Sequence, residues 1–134
     1  MSGLKILSVA PSATVQDRGR IGWLRYGVTS GGAMDAYALA EGQTLLGNSP
    51  DDAALEFAEF GGRFQALGPV MIATSGARMD LLLNGAVVDW RRSVQMRAGD
   101  VLDIGAAREG VYGYLHISGG FQTELVLGAR STHL

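Results

Sequence analysis

Apolar and polar residues alternate along most of this chain, and glycine repeatedly cuts the alternation. Leu4 to Val9 (LKILSV) alternates and Pro11 lies just beyond it, which predicts a first strand. Further alternating or short apolar runs cover Ala54 to Phe60, Val70 to Thr74, Met79 to Leu83, Ala86 to Trp90, Val101 to Ile104 and Val111 to Ser118. Asn84-Gly85 separates two of these runs, and Asn-Gly between strand-like segments is a strong hairpin signal. One segment differs. From Ala33 to Leu46 the residues are mostly good helix formers, which predicts a helix over about residues 34–47. Asp35 suits its start, Leu39, Gly42 and Leu46 share one face, and Gly47-Asn48 supplies a stop. Gly42 costs about 1 kcal/mol relative to alanine there, so close approach of a neighbouring backbone is expected.

Ala13 to Gly32 is punctuated by glycines and reads as a long structured loop, a kind of segment that is often functional. Many short strands with one helix predict a mainly β domain, closed or nearly closed into a barrel. Composition agrees. The 134 residues suit one domain, 47% of them are apolar, and the 20 glycines fit many tight turns.

Charge and cysteine content narrow the chemistry. A net charge of -2 without a basic stripe argues against nucleic acid. The chain has no cysteine, so disulfides and thiolate catalysis are excluded. The two histidines, His116 and His133, lack a spaced acidic partner set, so no metal site is expected. His116 is expected to face a partner or solvent. No apolar run has the length of a membrane span, and a soluble, cytoplasmic protein is the default expectation.

Three stretches together resemble one family: Thr14-Val15-Gln16-Asp17-Arg18-Gly19-Arg20 with Gly32-Ala33-Met34-Asp35; Leu45-Leu46-Gly47-Asn48 leading to Ala54-Leu55-Glu56; and Gly119-Gly120-Phe121 with Gly128-Ala129-Arg130-Ser131-Thr132. Thr74-Ser75-Gly76-Ala77 resembles a small-residue turn of the same family. The combination resembles allophanate hydrolase subunit 2, a family also described as KipA or as the C-type subunit of 5-oxoprolinase, and related to the carboxyltransferase part of urea carboxylase. The resemblance implies a cyclophilin-like β-barrel. It also implies a component of an ATP- or biotin-dependent enzyme acting on a small amide, by 5-oxoproline hydrolysis or urea-type carboxyl transfer, with a KipI-like subunit 1 partner. The alternative it implies is a non-catalytic antagonist of a KipI-like inhibitor of a histidine kinase. Family members run to about twice this length, so the chain reads as the truncated N-terminal half of a longer subunit, and self-association through exposed apolar surface is expected.

Chemistry on an amide or carboxylate needs fixed donors for developing charge and a group that handles a proton. Arg18, Arg20 and Arg130 are candidate donors, with Gln16, Asp17, Ser131 and Thr132 beside them. Asp17 and Arg20 could equally pin the loop as a structural pair. Ser75-Gly76 and Ser30-Gly31-Gly32 offer accessible backbone amides, or are simply tight turns. Asp35 and Glu56 are the candidate proton-handling carboxylates. Asp35 could instead serve only as a helix cap, and alternation around Leu55 and Phe57 points Glu56 outward. Catalytic candidates are thus Asp35, Glu56 and Arg130. No cofactor is assigned to the chain itself, with ATP or biotin belonging to the full complex.

Overall fold

The computed structural model describes residues 3–16, 35–49 and 52–121. Within them the elements run β1 (Leu4–Val9), β2 (Thr14–Gln16), α1 (Ala36–Leu46), β3 (Ala54–Ala58), β4 (Phe60–Ala66) and β5 (Val70–Gly76). Then follow β6 (Met79–Leu83), β7 (Ala86–Val87), β8 (Ser93–Met96), β9 (Val101–Ala107) and β10 (Tyr112–Ile117). The strands form two five-stranded sheets, ordered β1-β4-β9-β6-β7 and β2-β3-β10-β5-β8. The mainly β expectation holds. The closed ring differs: among the described residues, no ladder joins the two sheets into one barrel.

The chain passes between sheets at corners rather than along continuous strands. The run from Ala54 to Phe60 is divided at Glu59, which takes a left-handed φ of 72° and sends β4 into the other sheet. Such a conformation costs a non-glycine residue about 1–3 kcal/mol. Two backbone bonds hold it: Glu59 N–H donates to Val111 O at 2.8 Å, and Ala107 N–H donates to Glu59 O at 2.7 Å. Ala77 N–H to Tyr112 O and Arg108 N–H to Arg78 O stitch the neighbouring corners to the same end. Three sheet-to-sheet passages therefore meet there.

Between the sheets lies the main core, including Leu4, Leu55, Phe57, Phe64, Ile72 and Leu102, with the Phe57 and Phe64 rings 6.0 Å apart. Helix α1 covers the opposite face of the second sheet, where Ala38 and Leu39 pack with Ala54 and Tyr114. The second sheet is thus buried on both sides. Asp35 caps the helix, its Oδ1 accepting from Ala38 N at 3.0 Å, and Gly47 ends it at φ 68°. At Gly42 the close neighbour is a side chain and not the expected backbone, because a Cβ there would run into the His116 imidazole.

The Asn84-Gly85 hairpin is present, with φ 51° and 83° at its two turn residues. Strand β7 stops at Val87, short of the expected Trp90, because Trp90 leaves the ladder and its indole donates to Gly76 O at 3.1 Å. No helix among the described residues is long and apolar enough to cross a membrane.

Candidate functional site

Five of the candidate residues lie within the described chain, and the strand register sets three of them, Gln16, Glu56 and Ser75, on the sheet face that carries helix α1. Thr14 pairs with Glu56, Glu56 with Tyr114, and Tyr114 with Ser75, so these side chains form one row on one face. In the adjacent row Gln16 pairs with Ala54, and His116 with Ala73. Helix α1 lies over this face, so its polar groups sit in a covered layer.

Glu56 is 5% exposed, which corrects its expected outward, solvated placement. Alternation around Leu55 and Phe57 identified the inter-sheet face correctly, but the other face carries a helix instead of water. The Tyr114 hydroxyl donates to Glu56 Oε2 at 2.5 Å and accepts from Asp35 N at 2.8 Å. Burial, then the bond to Glu56, push the Tyr114 phenol well above its usual range, so it remains a neutral donor. Asp35, whose side chain caps α1, is thereby joined through its backbone to the buried acid.

Ser75 lies within β5 and not in a tight turn, a second correction. Its Oγ donates to Ala38 O at 2.7 Å and lies 3.0 Å from His116 Nε2. A carbonyl oxygen only accepts, so the hydroxyl proton belongs to Ala38 O and His116 Nε2 carries its own proton. His116 is 1% exposed and faces neither solvent nor a partner, contrary to expectation. Burial lowers its pKa to about 4, so the ring is neutral. Gly76 ends β5 at φ 78°, and its carbonyl accepts from Trp90 Nε1 and Arg91 Nη2.

The layer reaches the surface at the start of the helix. There a cleft of about 360 Å³ is lined by Asp35, Tyr37, Glu41, Gly76, Arg91 and Tyr112, among others, with Arg91 and Glu41 4.0 Å apart across it. The arrangement offers a buried carboxyl group locked by a phenol, and two more carboxyl groups, Asp35 and Glu41, at the mouth. Asp17, Arg18, Arg20, Arg130, Ser131 and Thr132 lie outside the described residues, as do Ser30 to Gly32.

The family model for the carboxyltransferase domain, subdomain A and B, matches residues 26–134. The chain belongs to this carboxyltransferase family. It is 37% identical to the 5-oxoprolinase C-type subunit of Haemophilus influenzae over 131 residues, which cover 98% of this chain and 42% of that protein. It is 34% identical to urea amidolyase of Lachancea kluyveri over 129 residues, 96% of this chain and 7% of that protein. The crystal structure of Kluyveromyces lactis urea carboxylase superposes with a TM-score of 0.81 at 32% identity, covering 97% of this chain and 12% of that one. The chain thus spans less than half the length of these relatives.

Two members of the polar layer, Tyr114 and His116, were not among the candidates. A signal for them existed. Tyr112, Tyr114 and His116 put a polar-tipped residue at every second position of an otherwise apolar run. That period marks one face of a strand that is covered yet needs hydrogen bonds.

Proposed function

We propose that this chain forms part of a 5-oxoprolinase-type enzyme, a multi-subunit assembly that opens a small cyclic amide by ATP-dependent hydrolysis. The observation that carries this reading is the 37% identity to a 5-oxoprolinase component along 98% of the chain. Urea-type carboxyl transfer with biotin is the second reading, favoured by the similarity to urea amidolyase at 34% identity. The geometry supports small-amide chemistry in either case. Glu56 is a buried carboxyl group beside a neutral phenol donor, a setting suited to moving a proton out of water's reach. Asp35 at the cleft mouth is the second proton-handling candidate. Arg130, with Ser131 and Thr132, and the Gln16 to Arg20 segment remain the proposed donors to substrate oxygen.

The described cleft does not suit a nucleoside triphosphate, because Asp35 and Glu41 line it beside a single arginine, Arg91. ATP, or biotin on a carrier lysine, therefore belongs elsewhere in the complex, and a KipI-like subunit 1 is the proposed partner. A cyclophilin-like barrel for the whole domain and a cytoplasmic location are part of the same reading. The stitched corners at one end of the two sheets support the barrel.

The test is reconstitution of the protein carrying this chain with its companion subunits, following glutamate release from 5-oxoproline and carboxylation of urea in parallel. Glutamate release that needs both ATP and this protein supports the reading. Carboxylation of urea instead would replace the substrate and keep the family chemistry. Activity independent of this protein would reject an enzymatic role and favour the antagonist alternative.

A further inference from the structure

The face of the second sheet that carries α1 contains two buried acceptors whose needs the described residues do not meet. His116 Nδ1 and Gln16 Oε1 accept no hydrogen bond from any described residue, although each residue is 1% exposed. Buried polar atoms nearly always find a partner, in the protein or in an ordered water. The bonds already made fix His116 Nδ1 as an acceptor, and the Gln16 amide as oriented presents Oε1 as another. Ser75 gives its proton to Ala38 O, so His116 donates from Nε2 and leaves Nδ1 as a bare lone pair. Gln16 uses its Nε2 to donate to Thr14 Oγ1 at 2.9 Å, which leaves Oε1 seeking a donor.

The register sets these two acceptors either side of a small residue. Gln16 pairs with Ala54, and Leu115 with Leu55, so one step further along that ladder His116 comes opposite Ala54. The two polar residues therefore flank Ala54 at two strand spacings, about 9.6 Å between backbones. Ala54 itself is fully buried and packs in one cluster with Ala38 and Leu39 of the helix. A buried water commonly makes two to four hydrogen bonds and needs polar partners on more than one side.

We propose that one ordered water molecule lies between His116 and Gln16 and donates its two hydrogens to His116 Nδ1 and Gln16 Oε1. It completes a hydrogen-bonded belt. The belt runs from the Ala38 carbonyl of the helix through Ser75, His116 and the water to Gln16 and Thr14 on β2. Its consequence is positional: helix α1 is tied to the last residue of β2, from which the chain enters residues 17–34.

A crystal structure and imidazole ¹⁵N spectra of the intact chain test this together. The expected result is a solvent peak within about 3 Å of both acceptors, and a His116 ring protonated at Nε2 alone. Gln16→Met, which keeps length but removes the acceptor, should shift the His116 Nδ1 resonance and abolish the solvent peak. The proposal is overturned by a ring protonated at Nδ1, by a protein donor in that place, by no solvent peak, or by a resonance unmoved in Gln16→Met. Should Gln16→Met fail to fold, the unaltered protein's solvent peak and tautomer still decide.

Discussion

Tyr114 and Glu56 face each other across the β3–β10 ladder, with the phenol oxygen 2.5 Å from the carboxylate. The same hydroxyl accepts from the backbone of Asp35, so one side chain holds a buried acid and the start of a helix together. Tyr114→Phe removes a donor from Glu56 and an acceptor from Asp35 N–H. A loss of about 1–3 kcal/mol is expected, the usual cost of unpairing buried polar groups. Urea denaturation of the two proteins measures it. A stability within about 0.5 kcal/mol of the original would mean that the phenol does not anchor the helix.

Gly42 packs against His116 with no room for a Cβ between helix and sheet. Gly42→Ala would raise helix propensity by about 1 kcal/mol in isolation. Here it places a methyl group inside the imidazole ring, so the protein should instead be destabilised by about 1–3 kcal/mol through overpacking. Thermal melts of the variant give the sign, and a higher melting temperature would refute the packing argument.

Burial of His116 links stability to pH. Its pKa falls from 6.5 to about 4 on folding, so between these values the unfolded chain binds a proton that the folded chain refuses. The contribution is fully present above about pH 6.5 and lost as pH falls through that window, by at most about 3 kcal/mol. Denaturation midpoints should drop from pH 7 to pH 4, and His116→Asn should flatten part of that slope. An equal slope in both proteins would contradict the assignment.

Asp35 has two assigned tasks that substitution can separate. Asparagine caps helices as well as aspartate does, whereas alanine costs about 1 kcal/mol. Asp35→Asn should therefore keep the melting temperature, and Asp35→Ala should lower it. If the carboxylate also handles a proton, turnover in the reconstituted assembly falls in both variants. Full turnover in Asp35→Asn would leave the residue as a cap alone.

Much of this architecture was legible in the chain. Met79 to Leu83 and the Asn84-Gly85 turn follow from period-two alternation and from residues that tolerate positive φ. Asp35 and Gly47 bound the helix as their conformational preferences require. The failures have separate causes. Alternation reports only which side of a strand meets the larger core, so it could not show that α1 covers the other side and buries Glu56 and His116. Short strands carry too few residues to show a period, which hid Thr14–Gln16 and Ser93–Met96. The corner at Glu59 was hidden because a charged residue, not a glycine, adopts the left-handed conformation. The register, by contrast, could not have been read from spacing, and it is the register that sets Gln16, Glu56 and Ser75 on one face of the second sheet.

Turnover of Glu56→Gln in the reconstituted assembly tests most directly whether this covered layer carries the chemistry. Glutamine keeps the shape and still accepts from Tyr114, but it cannot take or give the proton. The account predicts a fall of about 10²–10⁴-fold, the usual contribution of a general acid or base, in a protein that still folds. Undiminished turnover in a folded Glu56→Gln protein would show that the buried carboxyl group only supports the fold.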